Sequence, residues 1–469
     1  VADTEQLFAQ AKAAWRGGDG AAAQALSEQV LAADPGHVGA LMILTNLRFA
    51  VNDIAGARPY LQTLADLMPD EVMVRNNLGR SMLADEAPDQ AAQEFQAVLA
   101  RDPQNARALD GLGIARHRLG DYEGAADLHR RATASDPGFA AAWCNLGIAC
   151  TDLGLYAAGA AALDKALSLD PQDPRTRFNR SILYLLDGDY AAGWPMYEAR
   201  LAFQSIQPPP GARLWAGEPL SGERVLLVPE QGFGDFIQFA RFIPLVIARG
   251  GRPVLATPAP LRDLFAAQGW DAEIADGDAS APLWCPMMSL GAALSIGPDD
   301  LTGAAYLKAP TVAAGDGFRV GLAWAGNPTH RRDRERSLRL ADLAPVLAVS
   351  GVRFVNLQVG LRPDDAAMLA ERPQVFAESP SLASYADTAA VVAGLDLVIS
   401  ADTSVLHLAG AMGCPAWGLL PKVPDWRWGP DGDRTAWNDS LRLYRQERRG
   451  DWAGVTARVV DDLSKLAAD

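Results

Sequence analysis

The sequence predicts a helical solenoid followed by two tandem α/β domains with parallel sheets. Three observations carry this reading. Pro35, Pro69, Pro103, Pro137 and Pro171 recur every 34 residues through the first half. A proline-rich stretch, 205–223, then interrupts the chain. Beyond it, short continuous apolar runs alternate with amphipathic helical segments, the pattern of parallel strands covered on both faces.

Within the first half, four of the five periodic prolines sit in Asp-Pro pairs, so each should end one helix and begin the next unit. Blocks aligned on them place Leu7, Leu41, Arg75, Leu109, Trp143 and Arg177 at the fourth position, Gly79, Gly113 and Gly147 at the eighth, and Ala57, Ala91 and Ala125 twelve residues further along the pattern. Small residues at those places let two helices approach closely. The pattern resembles the tetratricopeptide repeat, most clearly over 106–139 and 140–173, and implies about six units over 1–204. The last, 174–204, carries Pro195 inside its second helix and should cap the array. Such an array has a concave groove suited to extended protein segments. Asn77, Asn145 and Asn179 recur at the sixth position and either clamp a partner's backbone through their amides or simply solvate a helix face; Ala9, Ile43 and Gly111 interrupt that ladder.

The stretch 205–223 reads as an extended linker, since three successive prolines forbid helix. A first α/β domain is expected over 224–315: strand 225–231, one amphipathic helix from Phe233 to Gly251, strand 254–257, a helix, and a short strand at 273–275. A second, over 316–469, should run through strand 318–324, helix 340–349, strand 352–358, helix 385–395, strand 396–400, helix 403–413 and strand 415–420. Tandem units of this kind bind ligands where strands end and helices begin.

Composition excludes several functions. The chain has 469 residues, 42 Lys plus Arg against 57 Asp plus Glu, and a net charge of −15. Such an acidic chain lacks the basic face of a nucleic-acid binder. Its four cysteines, Cys144, Cys150, Cys285 and Cys414, form no C-x-x-C pair and fit a reducing compartment. No apolar run is long enough to span a membrane, and the start lacks the order of a signal peptide, so a cytoplasmic protein is expected. No G-x-x-x-x-G-K-[ST] occurs, which argues against NTP hydrolysis. The Asp-x-Asp triplets at Asp276/Asp278 and Asp431/Asp433 bracket glycines and read as turns rather than metal ligands.

Three loops at strand ends carry the chemistry. The first, Glu230-Gln231-Gly232-Phe233-Gly234-Asp235, opens a helix, and Asp235 is either its cap or a reactive carboxylate. The second, 326–340, gathers Arg331, Arg332, Arg334, Arg336 and Arg339, whose guanidinium forks suit phosphate, although most of them should be solvated. The third, Ser400-Ala401-Asp402-Thr403-Ser404, passes from strand to helix and offers free N–H groups and hydroxyls to an anion. His407 follows one turn on, as a packing histidine or a participant. Lys422, Trp426, Arg427 and Trp428 follow the last strand. There the aromatics stack on a ligand or plug the domain boundary, and the cations meet a phosphate or carboxylate.

Together EQGFGDFIQFARFIP, GLAWAGNPTHRRDRERS and DLVISADTSVLHLAGAMGCPAWGLLPKVPDWRW resemble the GT-B glycosyltransferase domain that follows repeats in many bacterial proteins, itself distantly similar to lipopolysaccharide heptosyltransferases. With the repeats, residues 1–469 resemble bacterial flagellin glycosyltransferases and, more loosely, protein O-GlcNAc transferases. The resemblance implies a protein O-glycosyltransferase that takes a nucleotide-sugar, with nonulosonic acids such as CMP-pseudaminic acid among its donors and a flagellin-like protein as acceptor. It places the general base on Asp235 and phosphate contacts on Arg336, Asp402 and Thr403, with Ser404 beside them; Gly232, Gly234, Gln238, Asn327, Ser337, His407, Lys422, Trp426 and Arg427 are further nucleotide-sugar-binding candidates from the loops themselves. The implied step is a single displacement with inversion, needing no metal or other cofactor if the helix start and the arginines supply the positive charge. A non-catalytic repeat adaptor and a glycan-directed transferase are the alternatives.

Overall fold

The computed structural model describes residues 2–203, 206–275, 279–312, 315–330 and 332–468. Arg331, Asp276 and Asp278 lie outside them. The chain divides into two compact units, Val1–Asn179 and Arg180–Asp469.

The first unit is a run of paired helices: α1 (Ala2–Arg16), α2 (Gly20–Ala33), α3 (Val38–Ala50), α4 (Arg58–Leu67), α5 (Val72–Ala84), α6 (Pro88–Leu99), α7 (Ala106–Arg118), α8 (Tyr122–Ser135), α9 (Ala140–Asp152), α10 (Tyr156–Leu169) and the start of α11 (Pro174–Leu186). The Asp-Pro pairs act as turn units as well as helix stops. Asp34, Asp102, Asp136 and Asp170 accept the N–H two residues on, at 3.1, 3.3, 3.0 and 3.2 Å. An aspartate that folds its carboxylate back in this way fixes the turn that proline then rigidifies.

The periodic glycines mark close helix approach. A Cβ on Gly79 would lie 2.7 Å from Phe95, on Gly113 2.6 Å from His129, and on Gly147 2.5 Å from Leu163, so no larger residue fits without displacing the facing helix. A second 34-residue ladder is conformational. Gly18, Asn52, Glu86, Gly120, Gly154 and Gly188 all have positive φ, the left-handed position that closes the first helix of each pair. Between α7, α8 and α9 lies a buried polar knot: Asp110 Oδ1 accepts from Asn145 Nδ2 at 2.9 Å and meets His129 Nδ1 at 2.8 Å.

In the second unit, α12 (Tyr190–Tyr197) contains Pro195 and passes into a 3-10 turn over 198–202. By its contacts this segment belongs to the second unit. The Trp194 indole N–H donates to Ile296 O at 2.9 Å. Arg200, fully buried, forks onto Glu230 with Nε and Nη2 at 2.9 and 2.7 Å.

The strands and helices that follow are β1 (Arg213–Leu214), β2 (Arg224–Val228), α13 (Phe233–Phe239), α14 (Ile243–Ala248), β3 (Arg252–Ala256), α15 (Arg262–Ala266), β4 (Glu273–Ala275), β5 (Leu283–Pro286), α16 (Leu290–Ala293), β6 (Phe318–Ala323), α17 (Asp333–Arg336), α18 (Ala344–Leu347), β7 (Val352–Asn356), α19 (Pro363–Glu371), α20 (Tyr385–Ala393), β8 (Leu397–Ala401), α21 (Ser404–Ala411), β9 (Ala416–Leu420), β10 (Leu441–Arg445) and α22 (Trp452–Leu466). They build two parallel sheets, ordered β1-β5-β2-β3-β4 and β10-β9-β8-β6-β7.

Three sequence expectations are corrected. The 205–223 stretch is not merely a spacer: β1 lies within it, pairs with Leu283 and Trp284, and is followed by the buried Trp215. The single helix expected from Phe233 to Gly251 is broken at 240–242, where Pro244 at the start of α14 has no N–H for a continuous ladder. The helix expected over 340–349 is likewise a 3-10 turn followed by the four-residue α18, which contains Pro345.

The strand orders fix where a ligand can sit. In the first sheet the chain moves outward from β2 through β3 and β4, then returns to place β5 on the other side of β2. In the second, β7 and β8 flank β6 in the same way. The crevices beyond β2/β5 and β6/β8 are therefore topological switch points, the usual ligand sites of open parallel sheets. All three suspected loops leave from these strands: 230–235 after β2, 326–340 after β6 and 402–404 after β8.

Candidate functional site

The first loop begins on an anchor. Beyond β2, the Glu230 carboxylate takes both the Arg200 fork and the Met288 N–H at 2.7 Å. Burial nevertheless pushes its carboxyl up, further than Arg200 pulls it down. From this fixed point, Gly232 caps α13 and donates its N–H to Asp235 Oδ2 at 3.0 Å. Asp235 Oδ1 accepts from Arg427 Nη2 at 2.5 Å. Asp235 is therefore both the helix cap and one half of an ion pair.

The third loop faces the first. A Cβ on Gly234 would lie 2.8 Å from His407 Cδ2 and 3.4 Å from Ser404 Cα, so the missing side chain is what lets α13 and α21 meet. Thr403 starts α21 in extended conformation without a side-chain cap bond. Its hydroxyl meets Ser400 Oγ at 3.1 Å, and Ser404 Oγ is 2.5 Å from Tyr385 OH. The first N–H groups returned to Thr403 O are those of Leu406 and His407, so those of Ser404 and Val405 have no acceptor among the described residues.

Two titratable groups flank this helix start. Burial, then the neighbouring Asp425, raises the Asp402 carboxyl to about 6 despite Arg336, the Trp428 indole and Arg427. His407 is driven down to about 3 by burial and then by Arg427, so it is neutral at ordinary pH. Its ring stacks on Trp428 at 5.2 Å and 22°, and its Nε2 is 3.9 Å from Asp402 Oδ1, too far for a hydrogen bond.

Among the described residues of the second loop, His330 feels the charges of Asp235 and Asp425, and Arg336 reaches this place directly. Its Nη1 donates to Asp402 O at 3.1 Å, and a Cβ on Gly326 would lie 2.6 Å from its Nη2, which explains the glycine. Arg332 is bonded to Glu335 and to Val423 O, Arg339 pairs with Asp342, and Arg334 is exposed. Asn327 closes its own turn by accepting from Thr329 at 3.0 and 2.9 Å, and Ser337 Oγ is taken by Gly326 N–H and Asp333. Neither side chain is directed at the α21 start.

The segment after β9 separates into three fates. Arg427, 6% exposed, is the hub: Nη1 donates to Asp425 Oδ1 at 2.7 Å while Nη2 holds Asp235. Burial raises the Asp425 carboxyl, but Arg427 more than reverses this and holds it below its ordinary value. Trp426 is a domain plug rather than a ligand platform, packed edge-on to Trp194 at 5.6 Å and Trp437 at 5.7 Å. Lys422 lines a different hollow of about 480 Å³ with Arg442, Gln446, Arg458 and Asp462. The turn reading of Asp431 and Asp433 agrees with Gly432 between them at φ 76.

The structure thus brings together Gly232, Gly234, Asp235, Arg336, Asp402, Thr403, Ser404, His407 and Arg427. Gln238, 1% exposed, has an Oε1 without a partner among the described residues, as do Arg336 Nε, His407 Nδ1 and Arg427 Nε. Buried polar atoms of this kind are normally satisfied by protein, ligand or ordered water, and Arg336 Nε has Asp333 Oδ1 at 3.9 Å. Asp425 and Tyr385, the latter edge-on to Phe233 of the first loop at 5.6 Å, also lie at this place and are not among the residues the sequence singles out. Asp425 alone left a local signal, as an N-cap residue two before Arg427.

In the repeats the asparagines do not form a row of equivalent free amides. Asn77 is half-buried, Asn145 is buried on Asp110, and Asn179 Nδ2 is bonded back to Arg175 O at 2.8 Å.

Comparison with known proteins matches residues 8–72, 45–106, 76–138 and 111–174 to the tetratricopeptide repeat. The protein is therefore a tetratricopeptide-repeat solenoid followed by two Rossmann-like parallel-sheet domains. It is similar to Protein FlbA of Caulobacter vibrioides, with 27% identity over 498 aligned residues, 96% of this chain and 82% of that protein. Among solved structures, the MamA protein shares 22% identity at a TM-score of 0.33, covering 36% of this chain and 92% of its own. PilW, a type IV pilus biogenesis factor, shares 19% at 0.37, covering 43% and 95%. Among the described residues no helix is long and apolar enough to cross a membrane.

Proposed function

We propose that this is a protein glycosyltransferase whose paired sheets hold a nucleotide-sugar and whose repeats recruit the protein acceptor. The observation that carries this reading is the meeting of two helix starts, α13 and α21, at the switch points of the two sheets, with Arg336 and Arg427 beside them. Bare N–H groups at Ser404 and Val405 suit phosphate oxygens. Asp235 orients the acceptor hydroxyl, and guanidinium charge stabilises the departing phosphate. The resemblance to flagellin glycosyltransferases nominates a flagellin-like acceptor and a nonulosonic acid donor.

Thermal stabilisation by CMP, UDP, GDP and ADP tests the site, because a ligand bound by the native state raises its melting point. At least one should shift it, and Asp235→Ala should abolish transfer while leaving partner binding intact. A second reading, a scaffold without turnover, is favoured by the double engagement of Asp235 with Gly232 N–H and Arg427. No shift with any of the four nucleotides would overturn the nucleotide-sugar reading and favour that alternative.

A further inference from the structure

The three carboxylates of the site are not equivalent. Asp235 and Asp425 each rest on Arg427, at 2.5 and 2.7 Å. Asp402 has no such partner. The residue is 8% exposed, and Arg336 bonds its main-chain carbonyl rather than its carboxylate. The groups facing it are His407 from α21, Asp425, Arg427 and Trp428 from the turn after β9, and Arg336 from α17. His407 Nε2, at 3.9 Å, belongs to a ring that is neutral at ordinary pH.

Beside this carboxylate stand the N–H donors of Ser404 and Val405, which have no acceptor among the described residues, and the guanidinium of Arg427, more than nine-tenths buried, whose Nε has no hydrogen-bond partner among them. An anion drawn to those donors meets a buried negative charge one residue before Thr403. Since burial already raises the Asp402 carboxyl to about 6, a second negative charge lifts it further and favours the neutral form.

We propose that Asp402 takes up one proton from solvent as a phosphate-bearing ligand seats at the start of α21, and that the neutral carboxyl then donates a hydrogen bond to the ligand. Asp402 is on this view the proton-carrying group of the site, a positioning residue for the phosphate, distinct from the ion-paired Asp235. The inference rests on the nucleotide reading given above.

The test is calorimetric titration of the full chain with UDP and with inorganic pyrophosphate at pH 7, in two buffers of different ionisation heat. The expected result is uptake approaching one proton per ligand beyond that due to the ligand's own ionisation, and its loss in Asp402→Asn. From pH 6 to pH 8 the wild-type affinity should fall at least about tenfold more than that of the variant, since ligand protonation is common to both. Binding heat without proton uptake in the wild type overturns the inference and leaves the nucleotide reading intact. Uptake that survives in Asp402→Asn but disappears in His407→Gln assigns the proton to the imidazole and also overturns it. No binding of either ligand overturns the inference, and the nucleotide reading then falls only if CMP, GDP and ADP also leave the melting point unmoved. The wild-type measurement needs no variant, so misfolding of Asp402→Asn would not shield the idea.

Discussion

Replacing Arg427 with Met should reveal what holds the site together. The guanidinium is buried, pairs with Asp235 at 2.5 Å and Asp425 at 2.7 Å, and lies 4.5 Å from the Trp426 ring centre. Met keeps the volume and removes the charge, leaving two carboxylates without the guanidinium they share. Breaking a buried pair from one side costs about 3–5 kcal/mol, because the remaining charge stays desolvated. The cost should depend on pH, and the sign follows from Asp425. In the wild type its carboxyl is held below the ordinary value, so its contribution is present above the usual carboxylate range and is lost as pH falls through the depressed one. In the variant the guanidinium's pull is gone while burial still raises the carboxyl, opposed by the residue-427 N–H and Arg332, so acid should neutralise the stranded charge and narrow the gap. Urea unfolding, followed by the fluorescence of Trp426, Trp428 and Trp437, measures both effects without the screening that guanidinium chloride would introduce. A loss under about 1 kcal/mol at pH 7, the scale of an exposed pair, would refute the reasoning. So would an identical loss at pH 5. The triple variant with Asp235→Asn and Asp425→Asn should recover much of the loss, because no buried charge is then left alone.

Three further outcomes follow from single positions. Glu86 is a non-glycine in the left-handed position that Gly18, Gly120, Gly154 and Gly188 occupy, so Glu86→Gly should stabilise the repeats by about 0.5–1 kcal/mol in a thermal melt; destabilisation would show that its side chain matters more than its backbone. Gly234→Ala places a methyl 2.8 Å from His407 Cδ2 and should both destabilise, by about 1–3 kcal/mol, and reduce any nucleotide-induced shift, whereas an unchanged melt would mean the two helix starts are not in contact. His407, driven down to about 3, costs nothing above its ordinary value and loses stability as pH falls below it, about 2 kcal/mol by pH 5; His407→Gln should lose that acid limb, and parallel melting curves for the two proteins would contradict its burial as a neutral ring.

What the sequence discloses about this chain depends on how locally each feature is determined. The 34-residue ladder is legible because Asp-Pro turns and helix-facing glycines act within one unit. The left-handed ladder escapes a search for identities because its residues change from Gly to Asn to Glu while the conformation persists. Central strands such as β6 and β8 announce themselves as continuous apolar runs. Of the four edge strands β4 and β7 are legible but the other two are not: β1 is two exposed residues that pair only because Leu283 and Trp284 are there, and β10, LRLYR, has one face meeting α22. At the site, the loops opening α13 and α21 are readable from helix-start chemistry, and so is the Asp235 cap. The Arg427 hub is not, since its meaning lies in Asp235, 192 positions earlier in the chain. Trp426 and Lys422 mislead for the same reason. Both follow a strand end at the rim, but packing turns the first into the aromatic cluster and the second towards another hollow.

The Asp235–Arg427 pair is where the two functional readings diverge. For a scaffold the pair is a brace: it joins the helix start of one sheet to the rim of the other, and its worth is constant whatever solute is present. For a transferase the same guanidinium also faces a phosphate, and every hydrogen bond it gives to phosphate weakens its hold on Asp235. The carboxylate is then most strongly paired in the empty site and becomes available to an acceptor hydroxyl only when the donor has seated. Such an order of events suits an enzyme handling a hydrolysable sugar donor, because the group that activates a hydroxyl stays engaged until the donor arrives. It also explains how one arginine can have two carboxylate partners without redundancy: Asp425, bonded through both the side chain and the N–H of Arg427, keeps the guanidinium in place while Asp235 is exchanged.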